Sequence, residues 1–146
     1  MTLATHMDTS ERKRWLRTAI LVGVLYFVIG FVFSALDRSA PDQLRFMWRL
    51  GAWVASAVMY AAHIGYEHFR LNSSPRVTAL HAAMAAAAGA FLLAVAATVH
   101  KSMVVSQAPY WRYLIALVAW PALTAIPAFV VALLVAVALG LKWRRT

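Results

Sequence analysis

The sequence predicts an all-α fold: a polytopic membrane protein with four transmembrane helices in an antiparallel bundle. Composition is the first observation. Of 146 residues, 63% are hydrophobic and 13% charged, with a mean hydropathy of +0.70. Soluble domains run at roughly 45–50% apolar and about 25% charged, and a chain this small leaves too much surface exposed to hide the excess from water. The second observation is four separate apolar stretches, each near or above the roughly 17–25 residues that cross the hydrocarbon as a helix. The third is charge placement, with 14 Lys and Arg against 5 Asp and Glu. That excess reads as a rim against anionic lipid headgroups, not as a nucleic-acid groove. With no cysteine, disulfides, thiol catalysis and cysteine-ligated metal centres are excluded.

The chain divides into a basic N-terminal tail (1–14), a helical domain (15–143) and a basic C-terminal end (142–146), with spans near 15–36, 42–71, 75–101 and 109–141. The first span follows Arg12, Lys13, Arg14 and Arg17 as a signal peptide would. Phe33 spoils the small-x-small exit that a peptidase needs, so a retained anchor helix is expected. Pro41 and Asp42 mark the start of the second helix, with proline suited to the first turn and Asp to the positive dipole end. Asn72-Ser73-Ser74-Pro75 is a compact turn in which Ser74 can cap and Pro75 can open the third helix. Pro109 is expected to open the fourth helix, and Pro121 and Pro127 inside it each remove a backbone donor. Trp15, Trp48, Trp53, Tyr110, Trp111, Tyr113 and Trp143 fall near span ends, as amphipathic rings do at headgroup level.

Topology follows from the basic residues. One side holds nine (Arg12, Lys13, Arg14, Arg17, Arg70, Arg76, Lys142, Arg144 and Arg145), the other five (Arg38, Arg45, Arg49, Lys101 and Arg112). Positive charge favours the inner leaflet, so both termini are expected in the cytoplasm of a multi-pass membrane protein.

The second span carries the chemistry. Arg49, Trp53, Ser56, Tyr60, His63, Glu67 and Arg70 alternate by steps of four and three and therefore share one helical stripe. A polar stripe at membrane depth faces other helices or a cavity. His63 and Glu67 are i and i+4 neighbours. The short turn brings His81 of the third span to a similar depth, so Tyr60, His63, Glu67 and His81 form the candidate cluster. Ser56, Arg70 and Arg76 support it, and Glu67 is expected within hydrogen-bonding reach of His63, His81 or both. His68 is expected to point away toward the headgroups.

The cluster has three readings. It is an interhelical clamp, or the lining of a cavity that holds a proton or small ligand, or a metal or haem site. Zinc on His63, Glu67 and His81 is allowed by spacing but lacks a further acid or base. Haem b between the two histidines would force apart helices that normally pack at about 8–10 Å. His100 lies about 28 Å along the helix from His81 and belongs to the other end. No cofactor is therefore expected.

Small residues supply helix packing. Gly23, Phe27, Gly30 and Ser34 share one face of the first span, and the third contains an alanine run from Ala82 to Ala90 broken by Met84 and Gly89. Such faces suit either close packing within the chain or a partner subunit. Phosphate-loop and dinucleotide fingerprints are absent, and the two halves show no repeat of the inverted kind. A structural or accessory membrane subunit without catalysis of its own is the function expected first. A small channel or carrier is second, and a haem or metal bundle third. The expected partners are the bilayer, a second copy or another membrane subunit, with no nucleic acid.

Overall fold

The computed structural model describes residues 9–71, 73–103, 109 and 111–143. Among them lie four helices: α1 (Thr9–Ser39), α2 (Asp42–Arg70), α3 (Pro75–Met103) and α4 (Trp111–Trp143). The fold is all-α. Three of the helices are long and apolar enough to cross a membrane, over Trp15–Ser39, Pro75–Lys101 and Trp111–Gly140. α2 has sufficient length but carries the polar stripe, so its composition is less apolar.

Several boundaries differ from the sequence reading. α1 starts at Thr9, inside the stretch read as a tail, because Glu11, Arg12, Lys13 and Arg14 are good helix formers. Pro41 caps α2 from outside, in an extended conformation with φ −56° and ψ 151°, and its carbonyl accepts the Leu44 N–H at 2.9 Å. α3 opens at Pro75 as expected, with the Thr78 N–H donating to the Ser74 carbonyl at 2.9 Å. Pro109 does not open α4; the helix begins at Trp111, and the Pro109 carbonyl instead receives the Arg112 N–H at 3.1 Å. α4 continues through Pro121 and Pro127, and between them Thr124 Oγ1 donates back to the Trp120 carbonyl at 2.9 Å. Asn72, Tyr110 and the side chain of Trp143 lie outside the described residues.

Side-chain contacts fix the directions of the chain. Trp15 meets His81, Gly23 meets Ala85 and Ala88, and Gly30 meets Leu93. Contacts that climb together in both helices make α1 and α3 parallel. Tyr26 faces Tyr60, Phe33 covers Gly51 and Asp37 pairs with Arg49. These run in opposite senses, so α1 and α2 are antiparallel. The result is an up-down-up-down arrangement with α3 at its centre.

α3 is central because its side chains are small. Ala79, Ala82, Ala83, Ala85, Ala90 and Ala94 are buried, against α1 on one side and α4 on the other. At the α1 crossing the Gly23 carbonyl lies beside Gly89, an approach that only glycine permits. The small face of α1 is thus occupied within the chain. α4 contributes Ala132 and Ala136, both fully buried, and continues the four-residue step through Ala128. This stripe is the same device as the one in α1, and its spacing makes it legible in the sequence. The predicted α2–α3 hairpin is looser than expected. α2 packs along α1 and touches α3 and α4 only narrowly, because the small faces of α3 are already taken.

Candidate functional site: a buried carboxylate between two imidazoles

The polar stripe of α2 is buried only at its centre. His63 and Glu67 are buried, Ser56 and Tyr60 half-buried, and Arg49 and Arg70 exposed. Trp53, further along the same stripe, stands 77% exposed. The reason is geometric. A strict seven-residue repeat drifts about 20° per heptad around a helix of 3.6 residues per turn, so the ends of a three-heptad stripe rotate out of register. Val54 and Val58, on the opposite side of α2, are exposed, and Leu71 at its end is half-buried.

Glu67 is the centre of the cluster, with a side chain 1% exposed. Its Oε2 lies 3.1 Å from His81 Nδ1 and accepts the Ser73 hydroxyl at 3.2 Å. Its Oε1 lies 3.8 Å from His63 Nε2, too far for a direct hydrogen bond. Ser73 doubles the tie, since its N–H also approaches the Glu67 carbonyl at 3.4 Å. Arg70 and Arg76 are exposed, and neither forms an ion pair with Glu67 among the described residues. The carboxylate is held by a histidine and a serine, not by the nearby arginines, which extend to the surface.

Three contributors lie outside the sequence-derived set. Trp15 packs its indole on the His81 ring, centroids 4.8 Å apart. Its Nε1 is enclosed, because parallel packing of α1 on α3 brings Trp15 over the histidine. Ser73 was visible only as a turn residue. Thr78, fully buried, sits three residues before His81 on the same face of α3. His68 also differs from expectation, since it is half-buried with its Nδ1 enclosed and its ring meets Phe69 edge-on.

Polar capacity is left over. Both ring nitrogens of His63, Glu67 Oε1, Thr78 Oγ1 and Trp15 Nε1 are buried without a hydrogen-bond partner among the described residues. Tyr60, one turn further into the bundle, donates its hydroxyl to the Ala128 carbonyl of α4, and Tyr26 lies beside it with an enclosed hydroxyl. Beyond this pair Gly30 meets Leu93, Gly51 meets Phe33 and Phe33 meets Trp48, and the Asp37–Arg49 pair joins α1 to α2 at the surface.

Ile64, Ala79, Ala82 and Ala132 form one packed cluster beside these groups. Among the described residues, no three His, Asp or Glu side chains are arranged to hold a metal ion. His63 also lines an open groove of about 450 Å³ between α1 and α2, together with Thr18, Leu21, Val22, Met59, Ala62 and Tyr66. Comparison with known proteins found no matching family model, curated protein or solved structure.

Proposed function

We propose that the chain is a four-span membrane protein with both termini in the cytoplasm, acting as a non-catalytic structural or accessory subunit. One observation carries this reading: the buried polar groups of α2 tie it to its neighbouring helices, and the core beside them is built from small and apolar residues. Glu67 links α2 to α3 through His81, and Tyr60 links α2 to α4 through a backbone carbonyl. Inclusion of α2 as the fourth span is supported by its outward apolar side chains, Phe46, Met47, Leu50, Val54 and Val58. Its 29 residues reach about 43 Å at helical rise, beyond a hydrocarbon core of about 30 Å. The basic ends suit anionic headgroups, and the apolar outer face of α4 suits lipid, a second copy or a membrane partner.

Topology is tested by single cysteines, which the native chain lacks. Thr9→Cys and Thr146→Cys should resist an impermeant thiol reagent in intact cells and react after permeabilisation, while Ser39→Cys should react from outside. Reaction of position 9 or 146 from outside would overturn the orientation.

A second reading, a small channel or carrier lined by Tyr60, His63, Glu67 and His81, is favoured by the unpartnered atoms of His63 and Glu67. Vesicles containing the purified protein distinguish the two. Proton flux should stay at the empty-vesicle rate. A flux that Glu67→Gln abolishes would replace the subunit reading with the carrier.

A further inference from the structure

The groove between α1 and α2 is apolar along its length and basic at one end. Leu21 and Val22 of α1 and Met59 and Ala62 of α2 supply its walls, and its volume of about 450 Å³ falls within the roughly 300–1,000 Å³ of small-molecule sites. His63 adds only ring carbons to the wall, because both its nitrogens are enclosed. Along α2 the groove runs from Met59 to Tyr66, two helical turns or about 10 Å at helical rise. One turn beyond Tyr66 on the same face stands Arg70, and one turn before Leu21 stands Arg17. The contacts of Tyr26 with Tyr60 and of Asp37 with Arg49 set the antiparallel register of the two helices. Continued to this end, that register brings Arg17 within about one turn of the level of Arg70. Both arginines are exposed, and neither is in an ion pair among the described residues. Glu67, three residues before Arg70, is turned inward and bonded to His81 and Ser73.

We propose that this groove binds an anionic phospholipid, its phosphate between Arg17 and Arg70 and one acyl chain between α1 and α2. The inference rests on α2 being a span, because the groove then opens sideways into hydrocarbon and its basic end lies at headgroup level. Charge selects the occupant. An apolar groove that ends in two free guanidinium groups has the polarity of an amphiphile with one anionic end. Arginine forks also match phosphate oxygens in geometry as well as in charge. Tyr66, 45% exposed at the rim, stands between the apolar walls and Arg70 and suits the boundary between tail and headgroup. Met59 is unbranched and adaptable, so the wall can follow a flexible chain. A zwitterionic headgroup would bring its own cation beside the arginines and lose much of this attraction.

The probe is phosphatidylglycerol with a diazirine midway along one acyl chain, compared with phosphatidylcholine carrying the same chain. Each is photolysed at low mole fraction with the full-length protein in phosphatidylcholine vesicles. Phosphatidylglycerol should label Leu21, Val22, Met59 and Ala62 well above phosphatidylcholine, and Arg17→Gln and Arg70→Gln should each reduce that excess about fivefold, the scale of one basic residue near a charged headgroup. Ala62→Trp, at an exposed position on the groove, should displace the label while leaving both arginines in place. Val54 and Val58, on the opposite side of α2, should show no preference between the two lipids. Equal labelling of the groove by both lipids, or an excess that survives the double arginine substitution, would overturn the site. An excess spread evenly over Val54 and Val58 would also overturn it, leaving only a general attraction to the basic end. Absence of label from all of α2, with α1, α3 and α4 labelled, removes the fourth span and the site with it.

Discussion

Gly89→Val is expected to cost about 3 kcal/mol or more and to separate α1 from α3. A Cβ at position 89 would stand 2.5 Å from the Tyr26 Cβ and 3.0 Å from the Gly23 carbonyl oxygen. Neither is the far end of a flexible side chain, so relief requires moving a helix. Overpacking a tight interior typically costs about 1–3 kcal/mol and sometimes more. Here the displaced unit is the backbone of the central crossing. The same addition elsewhere should be harmless or better. A Cβ on Gly140 meets nothing within 4 Å, and one on Gly65 meets only Phe69 Cδ2 at 4.0 Å. Gly65→Ala should therefore gain about 0.5–1 kcal/mol from helix propensity. Denaturation of the purified variants in mixed micelles, followed by tryptophan fluorescence, measures all three. A loss below about 1 kcal/mol for Gly89→Val would mean that α1 and α3 do not cross there.

The crossing also shows which parts of the structure the sequence could reveal. The face formed by Gly23, Phe27 and Gly30 follows a helical period, and local period is what a sequence displays. What it packs against is not displayed, because a small-residue face suits a neighbouring helix and a partner subunit equally. The same limit explains the Glu67 cluster. His63 and Glu67 are joined by spacing along one helix, and His81 by a turn short enough to fix its depth. Trp15 lies 66 residues from His81 and Tyr60 lies 68 from Ala128. No local pattern links such pairs, and a backbone carbonyl that accepts a hydroxyl has no sequence signature. The weak α2–α3 contact depends on competition for α3, which is a property of the whole bundle.

Glu67→Leu is expected to cost about 1–3 kcal/mol, the penalty for leaving buried polar groups unpaired, while Glu67→Gln should keep most of the stability. Leucine fills a similar volume but removes the acceptor that now serves both His81 Nδ1 and the Ser73 hydroxyl. It would strand an imidazole already packed under Trp15 and release the turn that Ser73 anchors. Glutamine keeps a carbonyl oxygen where Oε2 stands and adds an N–H₂ near His63 Nε2, which lacks a partner. The amide therefore preserves the joint if it works through neutral hydrogen bonds. If the joint depends on a carboxylate facing a protonated His81, glutamine would lose a charged pair, and breaking such a pair in a buried setting costs about 3–5 kcal/mol. The same unfolding measurement separates the cases. Glutamine near wild type with leucine clearly lower supports a hydrogen-bonded clamp. Glutamine as damaging as leucine identifies an ionic one. Leucine near wild type would remove the clamp altogether, leaving Glu67 without a part in holding α2 to α3.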